Sequence, residues 1–207
     1  MKYFLDTEFI EGFHKPFLGK KRHFIDLISI GIVDEAGRSY YAISSEYKCD
    51  DASQWVKDNV ITPMYISTVH GDARNYYDDD NFHIFYGKSN SQIAREIIEF
   101  VGSDSGPEFY GYFSDYDWVL FCSLFGTMME LPKGFPMYCI DLKQMLDESV
   151  RGFINQQSLM GHDAGNFEYN LKKMKELPFY PEQTNEHNAL EDAKWNKNLH
   201  HFLTADK

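Results

Sequence analysis

Two carboxylates, Asp6 and Glu8, lie two residues apart in the opening run Met1-Lys2-Tyr3-Phe4-Leu5-Asp6-Thr7-Glu8-Phe9-Ile10. Aromatic and aliphatic residues dominate the run and Gly12 closes it, a composition that predicts a β-strand. Alternate strand residues share a face, so both acids project the same way. A buried, unpaired carboxylate is costly. A divalent cation offsets that cost, because hard cations take carboxylate oxygens as ligands. On its own, the D-x-E spacing leaves two readings open: a metal-holding pair on a central strand, or two solvated acids on an edge strand.

Two further stretches carry chemistry-bearing residues. In Gly111-Tyr112-Phe113-Ser114-Asp115-Tyr116-Asp117-Trp118-Val119-Leu120-Phe121 a strand ends and a helix begins. Helix capping and the helix dipole account for one of the two acids. The other is expected to point back toward Asp6 and Glu8. Asp117 is preferred, because it follows an aromatic and leads directly into the apolar run. In His187-Asn188-Ala189-Leu190-Glu191-Asp192-Ala193, the alanines four apart form a small-residue face suited to close packing on a sheet, with Asp192 beside it. His187 precedes Asp192 by five residues, so the two share no regular helix face. His187 must lie at or before the first turn to reach the same cavity. Taken alone, it reads as a polar residue at a helix start.

The elements that must position these residues follow from pattern. Strands are predicted over 1–10, 23–33 and 39–44, with a turn at 34–38, so the sheet opens as an antiparallel meander. Residues 11–22, with Gly12, Pro16 and Gly19, read as irregular. A short helix is predicted over 51–59, and 61–90 as loop with short pieces of structure. Ser91 is the expected cap of a helix through Val101, with Ile93, Ile97, Ile98 and Val101 on one face. A strand at 109–113, a helix at 117–124, a strand at 136–140, a helix at 141–148, a less regular 150–185 and a closing helix at 187–203 complete the chain. Three meander strands followed by αβαβα make an α/β layered fold.

Phe4-Leu5-Asp6-Thr7-Glu8-Phe9, then Asp117, then His187 with Asp192, taken in this order, resemble the three motifs of the DEDDh group of 3′–5′ exonucleases in the ribonuclease H-like superfamily. Asp6 to Glu11, Leu27-Ile28-Ser29-Ile30-Gly31 and Tyr116-Asp117…Cys122-Ser123-Leu124-Phe125-Gly126 resemble its compact bacterial and phage exoribonucleases. The resemblance implies a ribonuclease H-like mixed sheet, three antiparallel strands then two further strands, flanked by helices. It implies one domain over 1–207, elaborated near 12–23, 60–90 and 150–180. It implies metal-dependent hydrolysis from the 3′ end of RNA, releasing nucleoside monophosphates. Asp6, Glu8, Asp117 and Asp192 would hold two divalent cations, Mg²⁺ or Mn²⁺, and His187 would act as general base near neutral pH. Thr7 and Phe9 are expected beside the substrate, Phe9 as a stacking surface for the terminal base. The alternatives are a DNA exonuclease of proofreading type and a catalytically idle nuclease fold that binds nucleic acid.

Composition bounds these readings. The chain has 207 residues, 43% hydrophobic, with 17 Phe and 14 Tyr, enough for a sizeable core. Its net charge of −12 argues against a broad basic surface that coats nucleic acid. One segment runs against that charge. His14 to His23 holds four of the 20 Lys and Arg residues, with Phe17 among the cations; two readings stay open, that Lys20, Lys21 and Arg22 contact substrate phosphates or that the segment is a solvated loop whose charges only aid solubility. Cys49, Cys122 and Cys139 form no metal pattern and read as free thiols in a reducing, cytoplasmic setting. No apolar run is long enough to span a membrane and no secretory signal is apparent. The apolar content leaves room for a homodimer. Asp78-Asp79-Asp80 reads as a solvated loop and His200-His201 as a surface feature; His162-Asp163 resembles part of a metal-dependent phosphohydrolase signature, but the additional His and Asp it requires on helical frames are not apparent.

Overall fold

A computed structural model describes residues 1–14, 19–69, 82–163 and 165–205. Its framework is a five-stranded sheet of order β3-β2-β1-β4-β5. The strands are β1 (Lys2–His14), β2 (Arg22–Asp34), β3 (Ser39–Ile43), β4 (Glu108–Gly111) and β5 (Ile140–Asp141). The first three pair antiparallel, and β4 and β5 add parallel to β1 and to each other. The strand that carries Asp6 and Glu8 is therefore central, which removes the edge-strand reading. The helices are α1 (Gln54–Val56), α2 (Thr62–Val69), α3 (Phe82–Tyr86), α4 (Asn90–Val101), α5 (Asp115–Leu124), α6 (Leu142–Leu159), α7 (Phe167–Lys175) and α8 (Ala189–Thr204). The arrangement is the mixed α/β fold expected of a ribonuclease H-like chain.

The alternation of β1 divides the core. Tyr3 and Leu5 pack with Ile93, Ile97 and Val101 of α4 and with Trp118 and Phe121 of α5. Phe4 faces the other way, against Trp195 and Leu199 of α8. Further along that second face, Ile10 joins Val60, Ile61 and Met64 from the stretch between β3 and α4. Each fully buried aliphatic or aromatic side chain of this kind contributes about 1.5–3 kcal/mol.

Several boundaries differ from the sequence reading. β1 does not stop at Gly12: it continues to His14, paired with β2 from Arg22 onward. A Cβ at Gly12 would come within 2.7 Å of the Phe24 ring, so this glycine serves close packing inside the hairpin. Within 61–90, expected as loop with short pieces of structure, α2 and α3 are those pieces, and a π-helical turn at Lys57–Ile61 links α1 to α2. Asp78-Asp79-Asp80 and Phe17 lie outside the described residues. The cap of α4 is Ser89, whose hydroxyl accepts from the Gln92 N–H at 3.2 Å, and Ser91 lies inside the helix. α6 runs to Leu159, because the stripe of Leu142, Leu146, Val150 and Ile154 keeps its four-residue spacing past 148. α7 forms within the stretch expected to be irregular, capped by the Asn166 side chain. The last strand is only Ile140–Asp141. His200, expected at the surface, is buried against Phe4 and Tyr110, and burial holds its imidazole toward the neutral form.

Candidate active site

Asp6 and Glu8 lie on the same face of β1 as Phe4 and Ile10, and both are only partly exposed. The β1–β2 register shifts between Glu8 and Phe9: Glu8 pairs with Ser29 and Phe9 with Leu27. A bulge at this point twists the hairpin and re-aims neighbouring side chains, as bulges beside active sites do. The opposite face of β1 carries Thr7, which is buried. Its N–H and its hydroxyl both donate to Asp117 Oδ1, at 2.9 and 2.6 Å. Thr7 therefore ties the first turn of α5 to the strand holding the other acids. Asp117, the acid preferred from the sequence, is buried, and Asp115 is exposed. Neither caps the helix. Ser114 occupies the N-cap position without a side-chain bond, and both acids sit in the first turn, where the helix dipole favours them.

The third element depends on close helix–sheet approach. Ala189 and Ala193 are fully buried, and a Cβ at Gly31 would meet the Ala189 carbonyl oxygen at 2.2 Å. Glycine on β2 and alanine on α8 let the helix rest directly on the sheet. Gly31 pairs with Asp6 in the register, so this contact brings the start of α8 beside the acids. Asn188 caps the helix, accepting from the Leu190 and Glu191 N–H groups. Asn196, one turn past Asp192, donates to the Leu5 carbonyl at 2.9 Å and fixes the helix along β1. His187 lies two residues before α8, with a left-handed backbone at φ 68°. Its N–H donates to Asp192 Oδ2 at 2.9 Å, while Gln183 donates to Oδ1 at 2.7 Å.

The result is a cavity of about 330 Å³ lined by all five motif residues, together with Thr7, Phe9, Tyr112, Phe113, Tyr116, Gln183, Trp195 and Asn196. Asp6, Glu8 and Asp192 bring ligand oxygens within 4.8 Å of one another. Burial is the main force on their protonation, and mutual repulsion adds to it. Asp6 is pushed well above the usual carboxylate range by burial, then by Asp117, Glu8 and Asp192. Glu8 is pushed up to about 8 by burial and by Asp192 and Asp117. Burial raises Asp117 to about 7 against the opposing pull of its two bonds from Thr7. Asp192 is raised by burial, with the Gln183 and His187 bonds acting the other way. Three converging oxygen donors that resist joint ionisation fit a divalent cation, which would favour their charged forms.

Phe9 lines the cavity, its ring 5.5 Å from Tyr116. The basic segment is not brought to the site. Lys20, Lys21 and Arg22 are exposed at the far end of the β1–β2 hairpin, where Arg22 pairs with His14, and Lys21 lies over the Phe13 ring. His14 lies six residue steps along the strand from Glu8, roughly 20 Å. The sequence reading missed Asp141. Its carboxylate accepts from the Ser114 N–H and the Gln144 N–H, both at 2.9 Å, capping α6 and holding the turn from which α5 starts. An Asp directly before the apolar-periodic run of α6 is the signal that could have found it. His162 and Asp163 are exposed and away from the cavity lining.

Residues 1–204 match the family described as the 3′–5′ exoribonuclease Rv2179c-like domain. Among curated proteins, the 3′–5′ exoribonuclease Rv2179c of Mycobacterium tuberculosis (strain ATCC 25618 / H37Rv) is 34% identical over 151 residues, covering 72% of this chain and 75% of the relative. The 3′–5′ exoribonuclease MT2234.1 of Mycobacterium tuberculosis (strain CDC 1551 / Oshkosh) matches with the same identity and coverage.

Proposed function

Because the chain belongs to the Rv2179c-like 3′–5′ exoribonuclease family, we propose that it is a DEDDh-type 3′–5′ exoribonuclease that releases nucleoside monophosphates from the 3′ end of RNA. The observation that carries the reading is the convergence of Asp6, Glu8 and Asp192 within 4.8 Å, in one cavity with Asp117 and His187. Residues 1–207 would act as one nuclease domain, with 12–23, 60–90 and 150–180 as elaborations.

Asp6, Glu8, Asp117 and Asp192 would hold two divalent cations, Mg²⁺ or Mn²⁺. Bound there, such ions make water a stronger acid and offset the charge that builds on a phosphodiester under attack. The remaining work falls to the chain's own groups. His187 accepts the proton of the attacking water as general base. The His187 N–H and Gln183 fix the Asp192 carboxylate, so it need not reorganise when substrate arrives. Thr7 does the same for Asp117. Phe9 supplies an apolar surface for the terminal base. Lys20, Lys21 and Arg22, remote from the cavity, would hold the phosphates of longer RNA. The apolar content leaves room for a homodimer. Cysteines that form no disulfide among the described residues suit action in the cytoplasm.

The test is to incubate the protein with 3′-extended RNA and DNA of matched sequence, labelled at the 5′ end, with Mg²⁺, Mn²⁺ or chelator. Stepwise shortening of RNA that chelator abolishes, and that Asp6→Asn also abolishes, is the expected result. Preferential shortening of DNA would assign the proofreading type. Binding without shortening in either metal would assign the idle fold.

A further inference from the structure

His187 is held by its backbone more firmly than by its ring. Its N–H is bonded to Asp192, and the residues ahead of α8 pass through two left-handed positions, Asn185 at φ 55° and His187 at φ 68°. Non-glycine residues adopt such angles at a cost, so the path is fixed by its surroundings. Among the described residues, the imidazole makes no hydrogen bond. What stands against it is an indole. The Trp55 and His187 ring centroids are 4.9 Å apart, with an interplanar angle of 81°, an edge-to-face contact.

Trp55 comes from outside the sheet and from outside the three motifs. It lies on α1 and is 55% exposed. Its local fold is nevertheless fixed. The Ser53 hydroxyl accepts from the Val56 N–H at 3.2 Å, and the Trp55 carbonyl accepts from Asn59 at 2.9 Å. The π-helical turn that follows sends Val60 and Ile61 into the core, 2% and 1% exposed, where they pack with Ile10. Ile10 shares the β1 face of Asp6 and Glu8. One strand thus positions both the carboxylates and the anchor of the segment that presents Trp55. π-helical turns of this kind recur beside functional sites.

We propose that Trp55 is a positioning residue: its ring packs on the His187 imidazole and holds it in the orientation the reaction needs. The proposal rests on His187 being the base. An imidazole with a fixed backbone and no hydrogen-bonded ring nitrogen would otherwise sample several rotamers, and only a fraction of molecules would have it aligned. The indole narrows that choice without contacting substrate.

The experiment compares Trp55→Ala, Trp55→Met, Trp55→Phe, His187→Ala and the Trp55→Ala/His187→Ala double variant on one RNA under saturating Mn²⁺. Trp55→Ala and Trp55→Met should each lower kcat on the order of tenfold, the scale of one lost aromatic pair, with KM within about twofold. Trp55→Phe should recover most of the rate. On the His187→Ala background, removing Trp55 should cost nothing further, because the ring it orients is gone. A rise in KM with kcat unchanged would show that Trp55 contacts RNA instead, and an equal loss on both backgrounds would show a merely structural role. Either would overturn the proposal. If Trp55→Ala does not fold, the Phe and Met variants carry the comparison. Imidazole proton NMR of the wild-type protein tests the contact apart from activity. The His187 ring protons should be displaced from their free-imidazole positions by the indole ring current and move back in Trp55→Phe or Trp55→Met to a degree that follows the lost ring current. An inactive wild type with shifted protons would refute the exonuclease reading but keep the contact; unshifted protons in an active enzyme would refute the role of Trp55 alone.

Discussion

Glu8 links the burial of the acids, and their mutual repulsion, to the stability of the protein without metal. Its carboxyl is raised from an ordinary value of 4.5 to about 8, first by burial and then by Asp192 and Asp117. Between those two values the folded protein holds a proton that the unfolded chain releases. Unfolding free energy therefore falls as pH rises through this window, at up to about 1.36 kcal/mol per pH unit for one proton. From pH 5 to pH 7 that amounts to about 2.7 kcal/mol. Glu8 keeps some contact with solvent, and halving the figure for screening leaves about 1.3 kcal/mol. With an m-value of about 2 kcal/mol per molar urea, the midpoint should drop by roughly 0.6 M more in wild type than in Glu8→Gln. The assay is urea unfolding in EDTA at pH 5, 6 and 7, followed by tryptophan fluorescence. Wild type should be the more pH-sensitive protein and Glu8→Gln the more stable one at pH 7. Asp6, Asp117 and Asp192 are raised in the same direction, so Glu8→Gln should remove only part of the slope. Adding Mn²⁺ should reverse the slope in wild type, since a cation favours the ionised acids. Parallel pH profiles for the two proteins in EDTA, or a Glu8→Gln variant that is less stable at pH 7, would refute the reasoning.

Three further outcomes follow from the geometry. His187→Ala should reduce kcat by about 10²-fold or more, with a smaller change in KM, in steady-state assays on short RNA; loss of melting temperature with an unchanged rate would instead mark His187 as a purely structural residue. Gly31→Ala should push α8 off the sheet, because its Cβ would meet the Ala189 carbonyl at 2.2 Å and Leu190 Cα at 2.5 Å. A stability loss of about 1–3 kcal/mol and a disproportionate loss of activity are expected, and a fully active Gly31→Ala enzyme would contradict the packing account. Neutralising Lys20, Lys21 and Arg22 together should raise KM for long RNA and flatten its salt dependence, while dinucleotide hydrolysis stays the same; an unchanged salt slope on long RNA would remove the hairpin tip from the substrate path.

The chemistry-bearing residues were legible in the chain because their constraints are local. A two-residue spacing on an apolar strand puts Asp6 and Glu8 on one face whatever surrounds the strand. Two alanines four apart mark the face of α8 that meets a sheet, and the histidine ahead of them cannot lie on that helix face. The apolar stripes of β1, β2 and α4 likewise gave the α/β layering. Where packing supplied the deciding force, the sequence was silent or partial. Asp115 and Asp117 both stand at a helix start; neighbouring residues favour Asp117, but the bonds that fix it come from Thr7, 110 residues away. Gly12 looks like a strand breaker until the Phe24 ring is seen to occupy the space of its missing Cβ. His200 reads as a surface residue on an amphipathic helix, but Phe4 and Tyr110 enclose it. Gly31 gives no pattern of its own; it matters because α8, more than 150 residues later, must touch the strand there. Trp55 is the same kind of case. Its place beside His187 depends on a helical segment anchored through Val60 and Ile61, and no spacing within the chain connects residue 55 to residue 187. Local spacing determined which side chains could share a face, and long-range packing decided which of those faces met.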